Sequence, residues 1–258
     1  MLLAYDDYGP GPVVVLLHGF PLNRKMWSLQ EGRVGSMYRI IAPDLRGHGE
    51  TAAPPGVYTM EEMAGDVIEL LDALQITEPI VLGGLSMGGY VALALIAHYP
   101  ERVRGLMLID TRAAADTPEA ARNREDLARK AEASGNVGHV VEGLFPRLFS
   151  ESTRVGHPER VTWLRAAMEK TSPRGVVGAL RGMAVRPDRT ADLARITVPT
   201  LVMVGADDVL TPPDEVRKMA EALPRAKLVV IPNAGHVSPF ENPDAANEAI
   251  LQFLAGPH

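Results

Sequence analysis

Cysteine is absent from all 258 residues. That excludes disulfides, thiolate metal sites and a cysteine nucleophile at once. No Lys/Arg cluster is present to neutralise phosphates, and the formal net charge is −6, so a nucleic-acid surface is not expected. Long apolar runs are missing as well. VVVLL (13–17) and VALALIA (91–97) fall far short of the roughly 18 residues that argue for a membrane span. The opening MLLAYDDYGPGP has acidic residues where a secretory signal carries positive charge, and no sustained apolar segment follows it. No internal repeat or low-complexity tract is visible. These absences set the expectation of a soluble cytoplasmic protein with neither a nucleic-acid nor a membrane partner.

What the chain does have is an ample apolar content, 46% of its residues, enough for the core of one large domain. Short β-branched runs recur at 13–17, 38–42, 79–83, 103–109, 199–205 and 227–231. They lack strict alternation, as strands covered on both faces do in a parallel sheet. Helical patterns lie between most of them: 59–75, where Thr59 and Glu62 have the spacing of a capping box, then 88–98, 213–223 and 241–254. Strand and helix in alternation predict an α/β fold, a doubly wound and mostly parallel sheet.

The alternation stops once. From 111 to 190 no strand is predicted, yet four helical stretches are, in an Arg- and Ala-rich segment broken by Pro118, Pro146, Pro158 and Pro173. Some eighty residues exceed any ordinary connection. The expected organisation is a core of 1–110 and 191–258 with an inserted helical cap at 111–190. Its apolar residues Val137, Val140, Val141, Leu144, Phe145, Leu148, Trp163, Leu164 and Met168 are candidates for an acyl pocket, although helical spacing favours packing for most of them.

The chemistry centres on GGLSMGGY (83–90), which follows one predicted strand and opens a predicted helix. Ser and Gly are ordinary turn residues, so a lone G-x-S-x-G means little. Between strand and helix it is the context of a nucleophile elbow. Ser86 then sits in strained backbone, and Gly84 and Gly88 stand where no side chain fits. The helix N-terminus offers the Met87 N–H to an oxyanion.

A serine hydroxyl needs a base. His236, in NAGHVSPFENP, lies after the last strand, on the sheet edge where Ser86 also lies. His18, His98, His139, His157 and His258 read as structural or solvated, and His48 stays open. For the carboxylate that orients the base, Asp207 and Asp208 in GADDVLTPP and Asp110 after VRGLMLI are all at strand ends. The position of Asp208, three beyond Gly205 in the order Ser, Asp, His, favours it. A second oxyanion donor is expected from His18-Gly19-Phe20, where Gly19 permits close approach and the Phe20 N–H faces that of Met87.

HGFP (18–21), APDLRGHGET (42–51), GLSMGG (84–89), GADDVLTPP (205–213) and NAGHVSPFENP (233–243) together resemble the α/β-hydrolase superfamily, from about residue 3 to the C-terminus. GLSMGGYVAL, YPERVRGLMLIDT and GADDVLTPP most resemble 3-oxoadipate enol-lactonases and small serine carboxylesterases. The resemblance implies Ser86 as nucleophile, Asp208 as acid and His236 as base, with Phe20 and Met87 forming the oxyanion hole, and Gly19, Gly84 and Gly88 supporting them. It also implies that Asp44 and Arg46 are scaffold. Haloalkane dehalogenases and epoxide hydrolases carry Asp where this chain has Ser86.

The expected activity is hydrolysis of a small carboxylic ester or lactone through an acyl-enzyme, with no cofactor and no metal, in a monomer or homodimer. Two alternatives are a cofactor-free perhydrolase of haloperoxidase type and a non-catalytic small-molecule receptor on the same scaffold.

Overall fold

All six predicted apolar runs form strands, and a seventh precedes them. In the computed structural model, which describes residues 1–257, the strands are β1 (Tyr5–Tyr8), β2 (Val13–Leu17), β3 (Arg39–Pro43), β4 (Ile80–Leu85), β5 (Val103–Ile109), β6 (Thr200–Gly205) and β7 (Ala226–Ile231). His258 lies outside the described residues. The strands form one sheet in the order β1-β3-β2-β4-β5-β6-β7, parallel except for β1, which runs antiparallel to β3. β4 and β6 are buried from end to end, which explains their unbroken apolar sequence. β1 is an edge strand of sequence YDDY, half exposed, and carries no apolar run by which it could be read.

The helices are α1 (Ser28–Glu31), α2 (Met60–Ala73), α3 (Met87–His98), α4 (Pro118–Ser134), α5 (Gly138–Leu144), α6 (Glu151–Gly156), α7 (Pro158–Glu169), α8 (Pro173–Ala184), α9 (Pro213–Glu221), α10 (Ser238–Glu241) and α11 (Pro243–Leu254). At the start of α2 the capping box is formed: Glu62 N–H donates to Thr59 Oγ1 (3.1 Å) and Thr59 N–H to Glu62 Oε2 (3.1 Å). Such a cap is worth about 1 kcal/mol.

Two boundaries differ from the sequence reading. β4 runs on through Gly83 and Gly84 to Leu85, because both glycines pair with Leu16 and Leu17 of β2. The expected C-terminal helix is two helices. α10 ends at Glu241, and the Asn242 side chain with Pro243 behind it starts α11. Asn242, at φ −125° and ψ 75°, is not helical, so one continuous helix from 241 is ruled out.

Between β5 and β6 the chain forms α4 to α8 and, among the described residues, no strand. α8 carries glycines at 175, 178 and 182 on its inner face. A Cβ at Gly175 would run into the Gly47 carbonyl, and one at Gly182 into the Tyr58 carbonyl. Gly178 lies on the Tyr58 ring, and its carbonyl accepts from Tyr58 N–H at 3.0 Å. Backbone touches backbone there, which fixes α8 to the core. Thr171, just before α8, donates its hydroxyl to the Pro21 carbonyl (2.7 Å).

Asp44 and Arg46 are structural, as the resemblance implies. Asp44 is fully buried, accepts the N–H groups of Arg24 and Glu50 at 2.8 Å each, and pairs with the Arg24 guanidinium. Arg46 forks onto Asp66 at 2.7 and 2.8 Å.

Candidate active site

The turn from β4 into α3 is tight enough to hold Ser86 at φ 53°, ψ −112°. A positive φ is costly for a residue with a side chain and persists only where the surroundings impose it. Here they do. Ser86 N–H donates to the Ile109 carbonyl (2.9 Å), and Thr111 Oγ1 donates to the Ser86 carbonyl (2.8 Å). The glycines are steric necessities: a Cβ at Gly84 would overlap the Gly88 carbonyl, and one at Gly88 the Leu17 carbonyl. A Cβ at Gly19 would lie 2.7 Å from the Leu85 side chain.

The chain then brings three distant side chains into one line. His236 Nε2 lies 2.8 Å from Ser86 Oγ, and His236 Nδ1 lies 2.9 Å from Asp208 Oδ2. An ionised carboxylate only accepts, so Nδ1 carries the proton and Nε2 is left to accept from the serine hydroxyl. Asp208 Oδ1 accepts the N–H groups of Leu210 (2.8 Å) and Thr211 (3.0 Å), while the Thr211 hydroxyl donates to Oδ2. Burial opposes ionisation of Asp208. The positive charge available on His236 and the donors around the carboxylate outweigh it and hold the group below the usual carboxylate range.

The other sequence candidates are separated from this line. Asp207 is exposed. Asp110 is fully buried and bonds to Gly205 and Ser238 instead of His236. His98, His139 and His157 are exposed. His18 and His48 are fully buried behind the loop that carries Phe20, with ring centroids 5.1 Å apart. His18 Nε2 accepts the Leu45 N–H (2.9 Å), which fixes its neutral form with the proton on Nδ1, bonded to the Gly19 carbonyl (2.9 Å). His48, left open by the sequence, packs edge-on against Phe20 at 6.0 Å and donates through Nδ1 to the Arg46 carbonyl (3.0 Å). Its place is behind the site.

Among the described residues neither the Phe20 nor the Met87 backbone N–H has an acceptor. Phe20 lines the same cavity as Ser86 and His236. That cavity, of about 330 Å³, lies between the sheet edge and helices α4, α5 and α8. Of the apolar residues within 111–190 that are candidates for a pocket, Val140 and Leu144 line it. Val137, Val141, Leu148, Leu164 and Met168 are buried in the core, Phe145 packs on Phe149, and Trp163 stacks on Phe240. Among the described residues no three His, Asp or Glu side chains converge as a metal site.

Sequence reading missed two supporting groups. Thr211 braces Asp208; its only signal was its place in DDVLTPP. Glu241 is buried, and accepts N–H groups from Gly235 (2.7 Å) and Ser150 (2.8 Å), which ties the His236 loop to the start of α6. The sequence pattern places it at the start of the helix predicted over 241–254.

The chain belongs to the alpha/beta hydrolase fold family, which matches residues 12–243. It is similar to a thermophilic esterase from Thermogutta terrifontis, whose structure has malate bound, with 47% identity, a TM-score of 0.96, and coverage of 98% of this chain and 92% of that one. It is 30% identical to 3-oxoadipate enol-lactonase 2 of Acinetobacter baylyi over 96% of this chain and 91% of the other. It is 31% identical to a protein carrying the name non-heme bromoperoxidase, BpoC of Mycobacterium tuberculosis, over 98% of this chain and 97% of the other. No helix among the described residues is long and apolar enough to cross a membrane.

Proposed function

We propose that the protein is a serine hydrolase of small carboxylic esters or lactones, with residues 111–190 as a cap over the site. The observation that carries this reading is the unbroken chain of hydrogen bonds from Ser86 Oγ through His236 to Asp208, ending in a cavity of substrate size. Ser86 Oγ attacks the carbonyl carbon as His236 Nε2 takes its proton. The negative oxygen is held by the free N–H groups of Phe20 and Met87, and by the N-terminal end of α3. His236 returns the proton to the leaving alkoxide, and the alcohol or opened lactone arm departs. A water molecule, deprotonated by His236, then cleaves the acyl-enzyme and releases the acid. Asp208 stays ionised throughout and holds the imidazole in the tautomer the cycle needs.

The test is a panel of esters and lactones of graded acyl length, enol-lactones included, run on the wild type and Ser86→Ala beside labelling with a serine-reactive fluorophosphonate. Turnover and labelling that both vanish in Ser86→Ala are expected. Full esterase activity in that variant, or no turnover of any ester or lactone by the wild type, would sink the reading.

The similarity to BpoC supports a second reading, in which hydrogen peroxide replaces water on the acyl-enzyme. Peracetic acid formed from acetate and peroxide by the wild type, and lost in Ser86→Ala, is the outcome that distinguishes it.

A further inference from the structure

The backbone on both sides of His236 is bonded away from the sheet. Gly235 N–H (2.7 Å) and Val237 N–H (3.4 Å), one on each side of the imidazole, donate to Glu241 Oε1. Between them, His236 N–H donates to the Leu148 carbonyl (2.8 Å), which belongs to the helical segment between β5 and β6. No Cβ fits at Gly235, because it would stand 2.8 Å from the Leu148 carbonyl oxygen and 2.9 Å from the Ser150 nitrogen. The loop of His236 and residues 148–150 thus meet backbone to backbone.

Glu241 closes that contact with its second oxygen. Its Oε2 accepts the Ser150 N–H (2.8 Å) and lies 2.9 Å from the Ser150 hydroxyl. Burial pushes this carboxyl above its usual range, against the pull of the donors around it. The Arg160 guanidinium donates to the Glu241 backbone carbonyl (2.9 Å) and leaves the carboxylate to the loop and to Ser150. Only a carboxylate offers two oxygens that both accept and never donate. A glutamine here would set an N–H against an N–H on one side of the contact.

We propose that Glu241 is a positioning residue for His236, and that its bonds to Ser150 make the placement of the imidazole depend on how residues 111–190 are seated. The inference rests on the serine-hydrolase reading above and adds a residue to that same site. The imidazole must meet two partners at once, Ser86 Oγ at 2.8 Å and Asp208 Oδ2 at 2.9 Å. A misplacement of about 1 Å costs on the order of 10²-fold in rate. Movement of residues 148–150 reaches 235–237 through the Leu148 carbonyl and through Glu241, so residues 111–190 carry the imidazole as well as lining the cavity.

The experiment measures kcat and KM for p-nitrophenyl acetate in the wild type, Glu241→Gln, Ser150→Ala and Thr117→Ala, with the folded fraction of each taken from thermal melts. Glu241→Gln is expected to lower kcat per folded molecule by about 10- to 100-fold while KM stays within about threefold. Ser150 and Thr117 both cap helices, at the starts of α6 and α4. Their loss should cost similar stability, yet only Ser150→Ala is expected to lower kcat by about threefold or more, with Thr117→Ala within about twofold. Double-mutant cycles of Glu241→Gln and of Ser150→Ala with Asp208→Asn separate positioning from mere support. Where both changes act on one imidazole, the combined loss should fall short of the product of the single losses by about fivefold or more for Glu241→Gln.

Single losses that multiply in full overturn the inference, as does a fall in kcat no larger than the unfolded fraction explains. Equal effects of Ser150→Ala and Thr117→Ala overturn the dependence on residues 111–190. Ester turnover with full kcat in Glu241→Gln defeats this inference alone, whereas absence of all ester and lactone turnover by the wild type defeats the reading beneath it.

Discussion

Ser238 donates both its N–H (2.9 Å) and its hydroxyl (2.7 Å) to one oxygen of Asp110, 128 residues earlier in the chain. The other oxygen accepts the Gly205 N–H at 2.8 Å. Asp110 directly follows β5, whose last carbonyl, that of Ile109, accepts the Ser86 N–H. One carboxyl group thus joins the strand beside Ser86, the start of the Asp208 loop and the loop of His236. Complete burial, and then the charge of Asp208, push its carboxyl well above the usual range, against the pull of its three donors.

Removing that group should loosen all three segments. Asp110→Ala leaves two buried N–H groups unpaired, at about 1–3 kcal/mol each, so a loss of roughly 2–6 kcal/mol in urea unfolding is expected. Asp110→Asn keeps one acceptor oxygen, enough for one of the two backbone donors, and should lose less than Asp110→Ala. Equal losses in the two variants would contradict the tie.

Asp208→Asn tests the orientation of His236. An amide in place of the carboxylate can present an N–H to Nδ1 and select the wrong tautomer, with an expected fall in kcat of about 10³–10⁴-fold. Thr211→Val removes one donor to Asp208 and should cost far less, roughly tenfold. Steady-state kinetics on a reactive phenyl ester, with thermal melts to verify folding, provide the measurement.

Two helical glycines should respond in opposite directions to the same substitution. Gly65, inside α2, has open space where a Cβ would stand, so Gly65→Ala is expected to stabilise the protein by about 0.5–1 kcal/mol. Gly182, inside α8, has the Tyr58 carbonyl there. Gly182→Ala must push α8 off the core, with an expected loss of at least about 2 kcal/mol and a raised KM. Chemical denaturation of both variants checks the pair.

Acid should destabilise the fold through His18 and His48. Burial lowers His18 to about 4 and, together with the neighbouring His18, lowers His48 to about 3. An unfolded histidine takes up its proton near pH 6.5, so between there and pH 4 the unfolded state binds more protons and stability falls as pH falls. For His18 the loss by pH 4 is on the order of 3 kcal/mol. Urea midpoints taken from pH 7 to 4.5 should decline in the wild type and decline less steeply in His48→Gln. An unchanged slope in that variant would remove His48 from the account.

The sequence by itself determined the strands and the elbow, and favoured Asp208 and His236 as its partners. Parallel strands buried on both faces must be apolar throughout, so β2 to β6 stand out as unbroken runs, while β1, an exposed edge with the sequence YDDY, has no such signature. Ser86 was legible because its backbone admits only glycine at 84 and 88, a steric demand written into adjacent residues. Three-dimensional packing decided which carboxylate meets His236, since Asp110, Asp207 and Asp208 all end strands on one edge and position only favoured Asp208. Glu241 was illegible for the same reason. Its role depends on Ser150, 91 residues earlier in the chain, and no local pattern encodes that contact.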